Sequence, residues 1–339
     1  MTGGTRLGSF YFLERNHMRK LYYVTTFRKL NLSQQISGHL MLIPGVNITN
    51  DSEIKRKFLT PAFADAAGEI EMAYFKRASN LVFGEFDDRH VRGRPAEAVL
   101  LGVLLWIDGL FKNAWLHKDH AMECDAAYLR ADDEQQSMWF SNFLASRPSF
   151  ANGDRWGEIE MTVADLKAWG NKNDQIEDYL LESTIAASGF MMAKEFKRLG
   201  RALHFVNSAR IAPNIAFKIA NYCSALETLF TTDETELAHK LSERVAFFLG
   251  DEGYNRAQTY ATVKAAYGVR SKLVHGSTIK TGQVEGLPSL SSTCDDYLRS
   301  ILNLIFESSD LRRTFDSKNE AIENYFAELI LGRANRSGS

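Results

Sequence analysis

The sequence predicts an α+β protein in which an N-terminal mixed, strand-containing domain over residues 1–170 precedes an all-α bundle over residues 174–332. Three observations carry this reading. Short stretches rich in β-branched and aromatic residues, bounded by Gly, Pro, Asn or Asp, are confined to the first half. The polar stretch GNKND (170–174) follows them and reads as a boundary, ending in Asp174 as a candidate helix N-cap. Beyond it, apolar residues recur at helical spacing almost to the end.

In the first half the strand candidates are GSFYFLE (8–14), KLYYVTTF (20–27), GHLMLIP (38–44) and EIEMTV (158–163). The run from Pro95 to Trp115, PAEAVLLGVLLWIDGLFKNAW, admits two readings, because an unbroken apolar run has no readable period: a buried helix capped by Pro95, or a strand followed by another element. Its longest wholly apolar part, Val99 to Ile107, stops at Asp108 short of a bilayer span, and the start MTGGTRLGSFYF lacks the charged-then-apolar pattern of a signal peptide. No membrane segment is expected.

The second half continues helical. Segments 174–197 and 198–210 read as further helical turns ahead of PNIAFKIANYCSALETLF (213–230). There Pro213 suits a first turn, and Ile215, Ile219, Cys223, Leu226 and Phe230 form one face. DETELAHKLSERVAFFLG (233–250) places Leu237, Leu241, Val245 and Phe248 together, with Gly250 as the stop. NRAQTYATVKAAYGVRSKLVHG (255–276) offers Tyr260, Val263, Tyr267 and Val274 as an inner stripe and Gly276 as terminator. LSSTCDDYLRSILNLIFES (290–308) and NEAIENYFAELILG (319–332) add two helices, and 333–339 reads as a disordered tail.

With 45% hydrophobic and 24% charged residues the chain has the composition of a globular protein, and a net charge of −2 argues against binding nucleic acid by charge alone. Residues 1–60 carry nine Lys/Arg against three acids, +6 there and −8 over the remainder; a scattered solvated surface is favoured over a polyanion site. Three widely spaced cysteines fit a reducing compartment, so a cytoplasmic location is expected.

Chemical motifs are few. Phosphate loops, a GxGxxG turn and an EF-hand ladder are all missing from the sequence. His117, His120 and Cys124 have ligand-like side chains but no clear fourth ligand, so a polar surface is favoured over a metal site. Glu158 and Glu160 alternate on one strand face with no lysine at the spacing of a metal-dependent nuclease, so they read as solvated. No cofactor and no metal is expected.

Two pairs match an arginine followed four to six positions on by a histidine, Arg198/His204 and Arg270/His275, and chance supplies about one or two in a chain of this composition. Context separates them. His204 lies between Leu203 and Phe205 behind Gly200 and reads as a packing histidine. His275 falls at a helix end, where the C-terminal carbonyls favour a cation and Gly276 lets the chain turn away. A basic last turn is also ordinary helix design. Five residues of regular helix turn by about 140°, so Arg270 and His275 do not stand side by side. Either the last turn loosens at Val274 or the groups meet equivalents from a second protomer.

Across residues 215–276, SALETLF, ETELAHKLSERVAFFL and YGVRSKLVHG in that order resemble the ApeA-like branch of the HEPN superfamily, the higher eukaryotes and prokaryotes nucleotide-binding domains. Residues 1–170 carry no such resemblance. The resemblance implies a helical bundle that forms a homodimer or higher homo-oligomer. It also implies a metal-independent endoribonuclease whose Arg270 and His275 meet across the dimer interface on RNA, in anti-phage defence or a toxin-type system. Glu227 occupies a position where the family carries an acid and would orient Arg270. Ser271 stands where the wider superfamily often has Asn, Asp or His, and can still donate and accept a hydrogen bond. A regulatory protein or phage-derived trigger is the expected further partner, and the N-terminal domain the sensing or regulatory part. The alternatives are a non-catalytic HEPN interaction module, in which Arg270 makes a structural salt bridge, and a small-nucleotide sensor.

Overall fold

The stretch KLYYVT forms β1 (Lys20–Thr25), the strand about which the first half is built. It pairs antiparallel with β5 (Leu81–Asp87) on one side and β6 (Ala126–Asp132) on the other. A computed structural model of the chain describes residues 20–87, 91, 94–132, 137–188, 197–233, 235–278 and 281–332, without the side chains of 174, 177–188 and 281. The expected strand at 8–14, the tail at 333–339, part of the expected helical turns before Lys197, and Arg6, Arg15 and Arg19 lie outside these residues.

Further antiparallel pairing adds β3 (Leu40–Ile43), β4 (Val46–Thr49) and β7 (Ser137–Phe143), giving the order β3-β4-β5-β1-β6-β7. A separate parallel pair joins β2 (Leu30–Leu32) to β8 (Ile159–Met161). Tyr23 sits opposite Gly84 in the β1–β5 register and donates its hydroxyl to the Gly45 carbonyl at 2.8 Å. A Cβ on Gly84 would lie 2.0 Å from that carbonyl oxygen, so the crossing requires glycine.

Both faces of the sheet are covered. After the short α1 (Ser52–Phe58), α2 (Pro61–Arg77) places Phe63, Met72 and Phe75 against Val24, Leu81 and Tyr128. On the other face α3 (Ala96–His117) packs Leu100, Val103, Leu104 and Ile107 against Leu21, Tyr23 and Leu129. Leu101 and Leu105 are apolar yet point outward, which is why the run has no period: the exposed face has almost the composition of the buried one. Pro95 precedes α3 at its N-cap. At 22 residues α3 is long and apolar enough to cross a membrane, and over half of that stretch is buried within the fold.

The expected boundary at 170–174 lies inside a continuous helix, α4 (Val163–Ser188), so Asp174 is not an N-cap. Gly170 lets α4 approach β3, since a Cβ there would stand 2.3 Å from the Leu42 carbonyl oxygen. Glycine and polar residues that suggest a linker therefore serve a close helix contact.

The helical half comprises α5 (Arg198–Ile211), α6 (Ile215–Phe230), α7 (Leu237–Gly250), α8 (Arg256–Val274), the short α9 (Thr281–Val284), α10 (Leu287–Glu307), α11 (Ser309–Phe315) and α12 (Asn319–Leu331). Their common core contains Leu226, Phe230, Leu241, Val245, Val263 and Leu298 among others. Three local expectations change. Pro213 lies ahead of α6, whose N-cap is Asn214, accepting from the Ala216 N–H at 2.8 Å. Gly250 ends α7 within helical geometry, and a Cβ there would strike Arg256; the left-handed turn falls at Gly253, with φ 89°. The buried residues of α8 are Thr259, Val263, Ala266 and Val269, while Tyr260 and Tyr267 lie half-buried and Val274 is 63% exposed. Small residues fill the seam because α7 and α6 both approach α8, and the larger rings are displaced to its rim.

The two halves share core. Trp115 and Leu116 at the end of α3 lie in the helical cluster. The Trp115 indole donates to Asp295 Oδ1 at 2.7 Å, and this wholly buried carboxylate also accepts from the Tyr222 hydroxyl (2.7 Å) and Arg299 (2.7 Å). Arg210, also buried, donates to the His120 carbonyl at 2.9 Å. Of the basic first segment, Arg28 pairs with Glu71 and Asp125 and Lys29 with Glu123, so those charges are neutralised internally.

Candidate functional site

One end of the helical half gathers the start of α5, the last turns of α6 and α8, and the start of α12. Between them lies a cleft of roughly 700 Å³ whose lining includes Arg198, Arg201, Glu227, Thr228, Arg270 and Asn319. Arg270, on α8, donates from Nη2 to Glu227 Oε2 on α6 at 3.1 Å, and its guanidinium lies 5.6 Å from the centroid of the Tyr267 ring. The acid implied by the resemblance thus stands beside the arginine. Glu227 Oε1 is buried without a hydrogen-bond partner. Burial raises the Glu227 carboxyl above its usual range, and Arg270 opposes that rise.

His275 is placed differently. α8 runs regularly through Val274, and His275 is its C-cap, with its N–H bonded to the Ser271 carbonyl at 3.0 Å. Gly276 at φ 66° donates to the Leu273 carbonyl (3.4 Å) and Ser277 to that of Lys272 (2.8 Å), the two bonds of a Schellman stop. The last turn does not loosen. The His275 side chain is exposed, and neither it nor Ser271 lines the cleft.

Arg198, the arginine of the second spaced pair, lines the cleft. Its Nη1 donates to the Thr228 (2.5 Å) and Thr231 (2.9 Å) carbonyls that end α6, and its Nη2 to Asn319 Oδ1 (2.7 Å). Burial lowers its pKa, and nearby Arg201 and Arg244 lower it further. Arg201 has its Nε buried without a partner and makes no salt bridge among the described residues. The sequence marks these two only as arginines three apart on a first turn; their approach to α6 is set by packing. His204 is half-buried and lines a different cavity with Asp108, Lys112 and Asn207.

The remaining candidates do not converge. His117 Nε2 meets Asp165 at 2.8 Å, and Asp165 is held down at about 2, chiefly by the Thr162 N–H and also by His117. His120 is buried between the Phe111 carbonyl (2.9 Å) and the Met122 N–H (3.1 Å). Cys124 meets the Thr25 hydroxyl at 3.1 Å, and burial pushes its thiol up to about 12. No grouping of three His, Cys, Asp or Glu suited to a metal occurs among the described residues. Glu158 and Glu160 are exposed, Glu158 accepting from Asn31 at 2.5 Å.

Chemically the cleft offers a surplus of guanidinium groups over carboxylates, fixed on helix ends, which suits a phosphate-bearing ligand. Comparison of the chain with protein-family models, curated proteins and solved structures returns no match.

Proposed function

We propose that this chain is a cytoplasmic, metal-independent HEPN endoribonuclease that cleaves RNA through a composite site of Arg270 and His275 from two protomers, in anti-phage defence or a toxin-type system. The observation that supports it most is the separation of roles along α8: Arg270 is braced by Glu227 within an open cleft, while His275 is exposed at the helix stop outside it. Because His275 stands outside the cleft that holds Arg270 of its own copy, the reading pairs it with Arg270 of a second copy facing it through the α8 ends. The ribose 2′-OH then attacks phosphorus with its proton passing to one His275, and the P–O5′ bond breaks as the second His275 protonates the leaving oxygen. Arg270 neutralises the charge gathering on the phosphorane. A regulatory protein or phage-derived trigger would control the enzyme through the N-terminal half.

The test compares the parent protein with Arg270→Ala and His275→Ala on a broad RNA panel in EDTA, with and without candidate activators. Cleavage by the parent and its loss in both variants is expected; an intact panel with the parent under all conditions sinks the proposal. Mixing the two inactive variants should restore no activity, because a mixed dimer holds one His275 where the step uses two.

The Arg270–Glu227 ion pair also fits a second reading, a non-catalytic interaction module in which Arg270 is structural. That reading expects His275→Ala to keep full biological activity.

A further inference from the structure

A second groove lies in the first half, away from the arginine cleft, and takes no part in the proposed cleavage step. It encloses roughly 610 Å³ beside the ends of β6 and β7 and the loop before β8, and its lining includes Phe143, Arg147, Arg155 and Trp156. Two large aromatic side chains stand in solvent here: Trp156 is 87% exposed and Phe143 74%.

The loop that presents Trp156 is braced. Asp154 Oδ1 accepts from the Trp156 N–H at 2.8 Å and the Gly157 N–H at 3.2 Å, and the Phe150 N–H donates to the Asp154 carbonyl at 2.8 Å. Gly153 takes φ 91°, and a Cβ on Gly157 would lie 2.6 Å from Asp154 Oδ2 and 3.0 Å from the Phe150 ring. Phe143 is fixed likewise, its N–H bonded to Asn142 Oδ1 (2.8 Å) while Asn142 holds the Glu97 carbonyl (2.9 Å). Ordered backbone that keeps an indole in water forgoes the burial an apolar ring would otherwise gain.

Charge selects the occupant. The carboxylates lining the groove are matched, Glu123 by Lys29 (3.1 Å) and Asp125 by Arg28 (2.5 Å). Arg147 and Arg155 make no salt bridge among the described residues. Planar platforms beside unmatched guanidinium groups suit a ligand with planar rings and repeated negative charge, the combination a single-stranded nucleic acid offers. We infer that this groove binds single-stranded RNA, with unpaired bases on Trp156 and Phe143 and phosphates on Arg147 and Arg155. The RNA assignment rests on the ribonuclease reading, and the groove then recruits substrate for the arginine cleft, with which it shares no lining residue.

The experiment measures binding of a fluorescent 2′-O-methyl oligouridine, which lacks the nucleophilic hydroxyl, to the full chain by anisotropy over a salt series. Trp156→Ala and Phe143→Ala should each weaken binding roughly tenfold, with Trp156→Phe largely retaining it. Arg147→Gln with Arg155→Gln should lower the salt slope by about 1.4, about 0.7 for each phosphate no longer neutralised. Unchanged binding by Trp156→Ala overturns the proposal, as does equal binding of a duplex RNA or equal competition by poly-glutamate, which would mark an acidic peptide as occupant. Trp156-dependent binding by a parent that cleaves no RNA leaves the groove standing and removes the nuclease reading. Cleavage by a parent whose oligouridine binding ignores Trp156 does the reverse.

Discussion

Glu227 and Arg270 meet at 3.1 Å across α6 and α8, and the carboxylate is the more deeply buried partner, its side chain 15% exposed against 29% for the arginine. Burial opposes the charge on Glu227 while Arg270 supports it, and burial prevails. A carboxyl raised in the folded state contributes stability at low pH that is lost as pH rises through its folded pKa. Glu227→Gln should therefore leave the urea unfolding midpoint at neutral pH unchanged or slightly higher. RNA cleavage should fall because Arg270 is no longer held. A large loss of stability with activity intact would show that the pair only supports the fold.

Gly276 carries the turn that exposes His275. Its φ of 66° favours glycine, and no atom lies within 4 Å of a Cβ built there, so a substitution acts through backbone strain alone. Gly276→Ala should cost about 1 kcal/mol of unfolding free energy, and Gly276→Asn less, since asparagine tolerates the left-handed region. Urea titrations of both variants measure this; an alanine variant as stable as the parent would mean that the Schellman stop relaxes without cost.

Asp119 is half-buried at the junction of the two halves, with its Oδ1 shielded from solvent. Burial, and then the Asp295 charge, push it up to about 6, against the Ala151 N–H that donates to it at 2.8 Å. The stability it contributes is present below the ordinary aspartate range and is lost as pH rises from about 4 to about 6. His120, held well below its usual value by burial, acts in the opposite direction over the same window, since the unfolded chain takes up the proton first. The difference between parent and Asp119→Asn isolates the aspartate. That variant should gain on the parent as pH rises from 4.5 to 7 in thermal melts, and a constant difference across the range would refute the assignment.

Legibility follows how local each signal is. The strands within 20–27, 38–44 and 158–163 are readable because short apolar stretches, aromatic and β-branched in KLYYVT, stand there between polar and turn residues. The partners that assemble them, β5 and β6 on either side of β1, are joined by pairings distant in sequence that no local pattern encodes. Residues 170–174 of α4 read as a linker because a glycine chosen for close approach to Leu42 looks like one chosen for a turn. Tyr260 and Tyr267 read as inner positions on α8, but a seam between approaching helices admits smaller side chains.

By itself the sequence determined the α+β class, the helical second half, and the spacing that puts Arg270 before a histidine and a terminating glycine, since helix periodicity and capping act within a few residues. Only the tertiary structure decided that Glu227 meets Arg270, that Arg198 and Arg201 join them, that His275 stays outside their cleft, and that Trp156 is held in solvent. Those outcomes depend on how helix ends and loops approach one another, and that is settled by burial of a core the two halves share, through residues such as Trp115 and Asp295.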